Sequence, residues 1–282
     1  MKVMLQKAFR WNHKSKAEKD RFLQRFELVR YRLLYLATYV ICFFPIPLRF
    51  LFQICGSDKH QYGVHQYGYT YDALLRRFKY KRIKLLEIGL GRHGNRLGGE
   101  SLNVWQAYFP FATIIGCDIV DKSRLRTLRT KIYVVDQSSK FQLEELCKKE
   151  TAFDIIIDDG SHFNAHQISA FETLIGALNS EGLYIIEDVQ TSFWSHSGWD
   201  GAPISDPRFE STCVGYFLRL ARHINYREFE NLYGIDAGML ELAKTIKQII
   251  FEHNLVIVVK QRLARKWVGK PAQAPTRPEI LS

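Results

Sequence analysis

Ile83-Lys-Leu-Leu-Glu-Ile-Gly89-Leu-Gly91-Arg-His-Gly94 sets the architecture of this chain. Ile83–Ile88 reads as a buried strand, and the glycines after it let the backbone turn sharply and approach a ligand closely. The apolar runs Thr113–Cys117, Ile132–Val135, Phe153–Ile157 and Leu183–Ile186 are further strands. Helical patterns fall between them at Ser101–Tyr108, Lys140–Lys149 and Ala165–Leu178. Such alternation predicts an α/β fold, a parallel sheet with helices on both faces. Thr245–Phe251 and Asn254–Val259, joined at Glu252-His253, predict an antiparallel hairpin closing that sheet.

The glycine loop alone does not name its ligand, and its neighbours are more selective. Glu87, two residues before Gly89, would repel a dinucleotide pyrophosphate but suits a ligand carrying an ammonium and a sulfonium. Asp118 ends the second strand, where two carboxylate oxygens match the vicinal diol of a ribose. Asp136-Gln137 ends the third strand, within reach of an adenine. Acids at successive strand ends line the crevice where open α/β sheets bind ligands. Together they favour S-adenosylmethionine over NAD, with a nicotinamide oxidoreductase as the alternative reading.

A second cluster lies further on. Asp158-Asp-Gly-Ser-His162 ends the fourth strand and Glu187-Asp188 the fifth. If those strands are neighbours, Asp159, Glu187 and Asp188 converge. Carboxylates so close raise one another's pKa unless a cation neutralises them. An all-oxygen donor set with open positions suits Mg²⁺. His162 would stand beside that metal as a base.

These motifs, with Gly56-Ser-Asp-Lys59, Gly98-Gly-Glu-Ser101, Gly116-Cys-Asp118 and Glu187-Asp-Val-Gln-Thr191, resemble the metal-dependent sugar O-methyltransferases of macrolide biosynthesis, of the mycinamicin VI 2''-O-methyltransferase type. The resemblance covers about residues 56–260, including Phe251-Glu-His-Asn-Leu255. It implies a Rossmann-like class I methyltransferase sheet and methyl transfer from S-adenosylmethionine to a sugar hydroxyl, in natural-product or glycan biosynthesis. It also implies that Asp159, Glu187 and Asp188 hold Mg²⁺ and that His162 is the base. Ser57, Glu87, Gly89, Gly91, Ser101, Asp118, Asp136, Gln137 and Asp159 would hold the methyl donor. Two departures bear on the acceptor: Ser57 stands where the pattern has Thr, and Ser192-Phe193 where it has Ser-Tyr.

The ends of the chain differ from its middle. Of the net charge of +11 over 282 residues, residues 1–32 carry +7, residues 260–282 carry +5, and the stretch between them carries −1. A nucleic-acid enzyme would line its working face with that charge; here it flanks an apolar segment instead, so no nucleic-acid partner is expected. Phe22, Leu23, Phe26 and Val29 recur at helical spacing among Arg21, Arg25, Arg30 and Arg32. Uncharged residues 33–48 follow, broken by Pro45 and Pro47. Residues 1–55 are therefore expected as a basic amphipathic helical extension, 56–260 as the methyltransferase domain and 261–282 as a basic flexible tail. The extension would touch the cytoplasmic face of a membrane; a homo-oligomer or the catalytic domain could cover the same apolar face. A non-catalytic membrane-associated binding protein is the third functional class. The five scattered cysteines lack any paired spacing, which excludes a disulfide scaffold or zinc ribbon and points to a reducing, cytoplasmic setting. The acceptor expected is a sugar-containing small molecule or a lipid-linked saccharide.

Overall fold

The computed structural model describes residues 15–61, 65–91, 97–229 and 235–261. Gly94, residues 1–14 of the extension and residues 262–282 of the tail lie outside them.

A seven-stranded sheet forms the centre. In chain order its strands are β3 (Lys84–Ile88), β4 (Thr113–Asp118), β5 (Thr130–Val134), β6 (Phe153–Asp158), β7 (Leu178–Glu187), β8 (Ile246–Glu252) and β9 (Leu255–Lys260). Their spatial order is β5-β4-β3-β6-β7-β9-β8. The first five strands are parallel; β9 runs antiparallel to β7 and to β8, as the terminal hairpin predicts. That hairpin turns at His253-Asn254, with Asn254 in the left-handed region (φ 61°). A small separate hairpin pairs β1 (His60–Gln61) with β2 (His65–Gln66).

Alternation along the strands sends side chains to two cores. Leu85, Ile155, Ile157, Leu183 and Ile257 meet helices α2 (Leu48–Cys55), α3 (Gly68–Leu75) and α4 (Glu100–Tyr108). Leu86, Ile88, Ile156, Tyr184 and Val256 meet α5 (Lys140–Lys149), α6 (Asn164–Leu174) and α7 (Cys213–Arg222). A last short helix, α8 (Ala237–Ala243), leads into β8. This period-two parity has a consequence at Glu87: it shares the face of Leu85 and so points beneath α4.

The N-terminal region starts with α1 (Lys16–Ile41). Ser15 and Glu18 form a reciprocal capping box that satisfies its first amide groups. The helix stops before Pro45, and α2 starts directly after Pro47, where a missing amide hydrogen costs nothing. Gly56, at φ 78°, ends α2 in the left-handed conformation. Leu48, Leu51, Phe52 and Cys55 of α2 and Tyr31 of α1 share one core with Trp105 of α4. The face of α1 that docks, however, carries Tyr31, Tyr35, Thr38 and Cys42, while Phe22, Leu23, Phe26 and Val29 are exposed. Among the described residues, the sheet and its covering helices therefore leave that apolar face open. Among the described residues no helix is long and apolar enough to cross a membrane.

Candidate functional site

Parallel strands put all their C-terminal ends at one edge of the sheet. The chain leaves β3 first toward β4 and β5, then returns to β6 on the other side, so a crevice opens beside β3. A cavity of about 760 Å³ fills it. Gly89 shows how closely its walls approach: at φ +82°, a Cβ there would lie 2.0 Å from the carbonyl oxygen of Asp159. Only glycine allows the β3 and β6 loops to meet.

The cavity gathers residues from seven segments. Ser57, Gly89, Gly91 and Ser101 line it, as do Asp118, Asp136 and Gln137 from the next two strand ends. Asp159, His162 and Asp188 form the remaining wall. Asp118 is held by two backbone donors, Leu90 N–H to Oδ2 (2.9 Å) and Val120 N–H to Oδ1 (2.8 Å). Each oxygen keeps a lone pair for the cavity. Asp136 accepts from the backbone and hydroxyl of Ser138. Gln137 donates to both oxygens of Asp158 (2.7 and 2.8 Å) and accepts from the Ser161 amide (2.8 Å), so its side chain braces the β6 loop from within.

Asp159, His162 and Asp188 each bring a ligand atom to within 4.8 Å of the others. His162 (φ 58°) and Asp188 (φ 56°) both adopt the left-handed conformation, which costs about 1–2 kcal/mol for a residue with a Cβ. His162 Nε2 lies 3.8 Å from Asp188 Oδ2, and its Nδ1 is buried without a partner. Tyr67 donates to Asp188 Oδ1 (2.7 Å), and His65 Nε2 lies 3.5 Å from the same oxygen.

Two predicted residues do not line the cavity. Glu87, fully buried, accepts from Ser101 Oγ (2.9 Å) and Trp105 Nε1 (3.0 Å), and so fixes α4 against β3. Glu187, 2% exposed, accepts from Lys59 with both oxygens (2.8 Å each) and from the Tyr71 hydroxyl. The convergence expected of three carboxylates is thus closed at its inner end by an ammonium. Lys59 Nζ also donates to Asp159 Oδ2 (2.6 Å) and lies 3.5 Å from Glu87 Oε1. Burial works against its charge, but Asp159, Glu187 and Glu87 outweigh burial and hold its pKa well above the ordinary lysine value. Lys59, Tyr67, Tyr71 and His65 carried no assigned role in the sequence reading; the one available signal was a lysine placed inside Gly56-Ser-Asp-Lys59.

Buried acids give this site a pH signature. Burial pushes Glu87 up to about 7 against the pull of Lys59, and pushes Asp158 up to about 7 despite its bonds from Gln137. Unfolded carboxyls titrate near ~4, so between about pH 4 and 7 the folded chain holds protons that the unfolded chain has lost. Stability of the ligand-free protein is expected to fall as pH rises through that interval. Urea unfolding across it checks the sign, and Glu87→Gln should flatten the slope; stability that rises instead refutes the assignment.

An aromatic row leads away from the cavity. Phe163, in its wall, stands 5.2 Å from Trp199, Trp199 stands 5.8 Å from Trp194, and Trp194 stacks on His196. Asp200 secures this loop by accepting from the amides of Asn164 (2.9 Å) and Ala165 (3.0 Å) at the start of α6. Of the two departures from the sugar O-methyltransferase pattern, Ser57 lines the cavity, whereas Phe193 packs on Phe209.

No family model matches the chain. It is 38% identical over 207 residues to 8-demethyl-8-alpha-L-rhamnosyl tetracenomycin-C 2'-O-methyltransferase of Streptomyces olivaceus, covering 73% of this chain and 52% of the relative. It is 32% identical over 222 residues to mycinamicin VI 2''-O-methyltransferase of Micromonospora griseorubida, covering 74% and 54%. Its homologues are sugar O-methyltransferases. The methyltransferase MycE of the mycinamycin pathway, solved with Mg, SAH and mycinamycin VI, matches this fold with a TM-score of 0.69 at 29% identity, over 81% of this chain and 57% of that one. A second crystal form with Mg and SAH gives a TM-score of 0.71 at 30% identity. The mostly parallel sheet with its antiparallel end is thus the class I methyltransferase fold shared with these sugar O-methyltransferases. The chain spans about half the length of the curated relatives it matches.

Proposed function

We propose that this chain transfers a methyl group from S-adenosylmethionine to a sugar hydroxyl of a glycoside, with Mg²⁺ as the metal. One observation carries the reading: one cavity joins the backbone-anchored carboxylate of Asp118 to the Asp159–His162–Asp188 wall. The activities of the homologues support it.

The residues present fit both groups. Asp118 offers anchored oxygens for a diol, and no described residue lies within 4 Å of a Cβ added at Gly91. Glu87 supports this cavity from beneath by holding Ser101 and Trp105. Asp159 and Asp188 supply hard oxygen donors in the cavity wall, and Glu187, held behind that wall by Lys59 and Tyr71, would complete the set. When bound, Mg²⁺ would act as a Lewis acid that lowers the pKa of the acceptor hydroxyl. His162 would take the hydroxyl proton on its imidazole. Asp188 would steady that ring, and Tyr67 would steady Asp188.

The test is incubation with S-adenosylmethionine, Mg²⁺ and a panel of rhamnosides and related glycosides, read by mass spectrometry for the gain of one methylene. Chelation with EDTA is expected to abolish the gain and Mg²⁺ to restore it. Turnover that survives exhaustive chelation removes the metal from the reading.

The aromatic row is the surface available to the acceptor. Trp199→Ala is expected to raise the acceptor KM by about 3- to 10-fold, the worth of one ring contact, while S-adenosylhomocysteine affinity stays unchanged. Calorimetry and steady-state kinetics on the same preparation separate the two; an unchanged acceptor KM moves the acceptor elsewhere.

A further inference from the structure

The spacing of the exposed residues on α1 is more regular than its amphipathic sequence suggested. Phe22, Phe26, Val29, Leu33, Leu36, Val40 and Phe43 follow one another at intervals of four and three, and each is 50–71% exposed. All but Phe43, just past its end, lie on this 26-residue helix of about 39 Å. They form one continuous apolar stripe. The opposite face is already used: Tyr31 donates to the Leu125 carbonyl (2.9 Å) and Asn103 donates to the Tyr31 carbonyl (3.3 Å). Monomers rarely expose so long a stripe without a partner for it.

The charges beside the stripe discriminate between partners. Arg25 and Arg32 flank it on one side and Arg30 on the other. Arg30 and Arg32 give hydrogen bonds to the carbonyls of Cys55 (3.1 Å) and Arg124 (3.0 Å), which hold them in place and leave their charge uncompensated by those contacts. Lys16, Lys19 and Arg21 extend the basic border toward the start of the helix, against Glu18 in the capping box and Asp20. Glu27, the other acid of the helix, turns inward to accept from the Leu97 amide (2.9 Å). Pairing this stripe with a second copy of itself would bring arginine against arginine at the flanking positions, in either helix direction. Three of its seven apolar residues are phenylalanine, bulky for a two-helix seam and well suited to the boundary between headgroups and acyl chains.

We infer that α1 is a docking face for an anionic lipid surface, with the Phe22–Phe43 stripe lying in the interface and the arginine border against the headgroups. The helix is not apolar enough to cross the bilayer, so the association is peripheral and reversible. This inference does not depend on the reaction. It does place the cavity near the membrane, because Tyr31 and Glu27 hold α1 against the segments that flank the glycine loop.

Flotation of the full chain with vesicles tests it. With vesicles of roughly one-third phosphatidylserine the protein is expected to float at low salt and to be released as salt rises, and with phosphatidylcholine alone to stay behind. Phe26→Ser, Leu33→Ser and Leu36→Ser together should weaken binding at least about tenfold, with S-adenosylhomocysteine affinity as the control for folding. Arg21→Gln with Arg25→Gln, which leaves the apolar stripe intact, should weaken only the anionic, salt-sensitive part. A wild-type chain that ignores anionic vesicles at low salt overturns the inference. If that chain is also a dimer whose mass halves in the triple variant, the stripe belongs to a second copy.

Discussion

Replacing His162 with alanine is expected to lower kcat by about 10²–10⁴, the range for loss of a positioned general base. A sugar hydroxyl does not ionise unaided near neutrality, so its proton needs an acceptor at the moment the methyl group transfers. Among the described residues two imidazoles line the cavity. His166 is engaged through Nδ1 with Ser161 Oγ (2.9 Å), whereas His162 faces Asp188 through Nε2 at 3.8 Å. The backbone of His162 is held in the left-handed region at φ 58°, which sets the direction in which its side chain leaves the backbone. Affinity for S-adenosylhomocysteine should change little, because the loss concerns the proton and not the donor. Raising the pH should recover part of the rate as hydroxide replaces the imidazole. His166→Ala is the comparison and should retain most activity. Near wild-type turnover of His162→Ala at neutral pH would assign the proton to another group.

The sheet was legible because four of its five parallel strands end on a carboxylate or reach one within the next two residues. Asp118, Asp136, Asp158-Asp159 and Glu187-Asp188 mark the strand ends in sequence, and the structure gathers those ends along one edge. Lys140–Lys149 forms the predicted helix with the predicted bounds because Ser139 caps its start. Strand β7 is longer than its apolar core suggested: it starts at Leu178, and a shift in register between Phe153 and Ile155 accommodates the polar residues Asn179 to Glu181.

Direction was harder to read than position. That Glu87 lies at the end of a strand follows from the sequence; which face it points to depends on which helix covers that face. The same limit applied to α1. Apolar periodicity shows that a helix has an apolar face, not which face docks. Tyr31 takes the packed side with its hydroxyl on the Leu125 carbonyl, while Thr38 can be buried beside it because its hydroxyl bonds the Tyr35 carbonyl of the same helix. Lys59 lay beyond local pattern altogether, since Asp159 is 100 residues away and Glu187 is 128.

Lys59→Met is expected to destabilise the ligand-free protein by about 3–5 kcal/mol at pH 8, as removal of one partner from a buried ion cluster does. Lys59 is 2% exposed and is the cation that Glu187, Asp159 and Glu87 share. Methionine fills similar volume, so the loss reads the missing charge and not a cavity. The penalty has a second signature in pH. Without the ammonium, Glu87, already pushed up to about 7 by burial, should rise further, and protonation then offers an escape from the unpaired charge. The gap between variant and wild type should therefore narrow as pH falls toward about 5. If Mg²⁺ binds at Asp159, Asp188 and Glu187, it supplies positive charge at the same carboxylates and should raise the variant's melting temperature more than that of the wild type. Thermal unfolding at two pH values, with and without Mg²⁺, resolves both effects. A variant as stable as wild type at pH 8 would mean that these carboxylates are neutral without Lys59. A variant that Mg²⁺ fails to rescue would separate the lysine's carboxylates from the metal's.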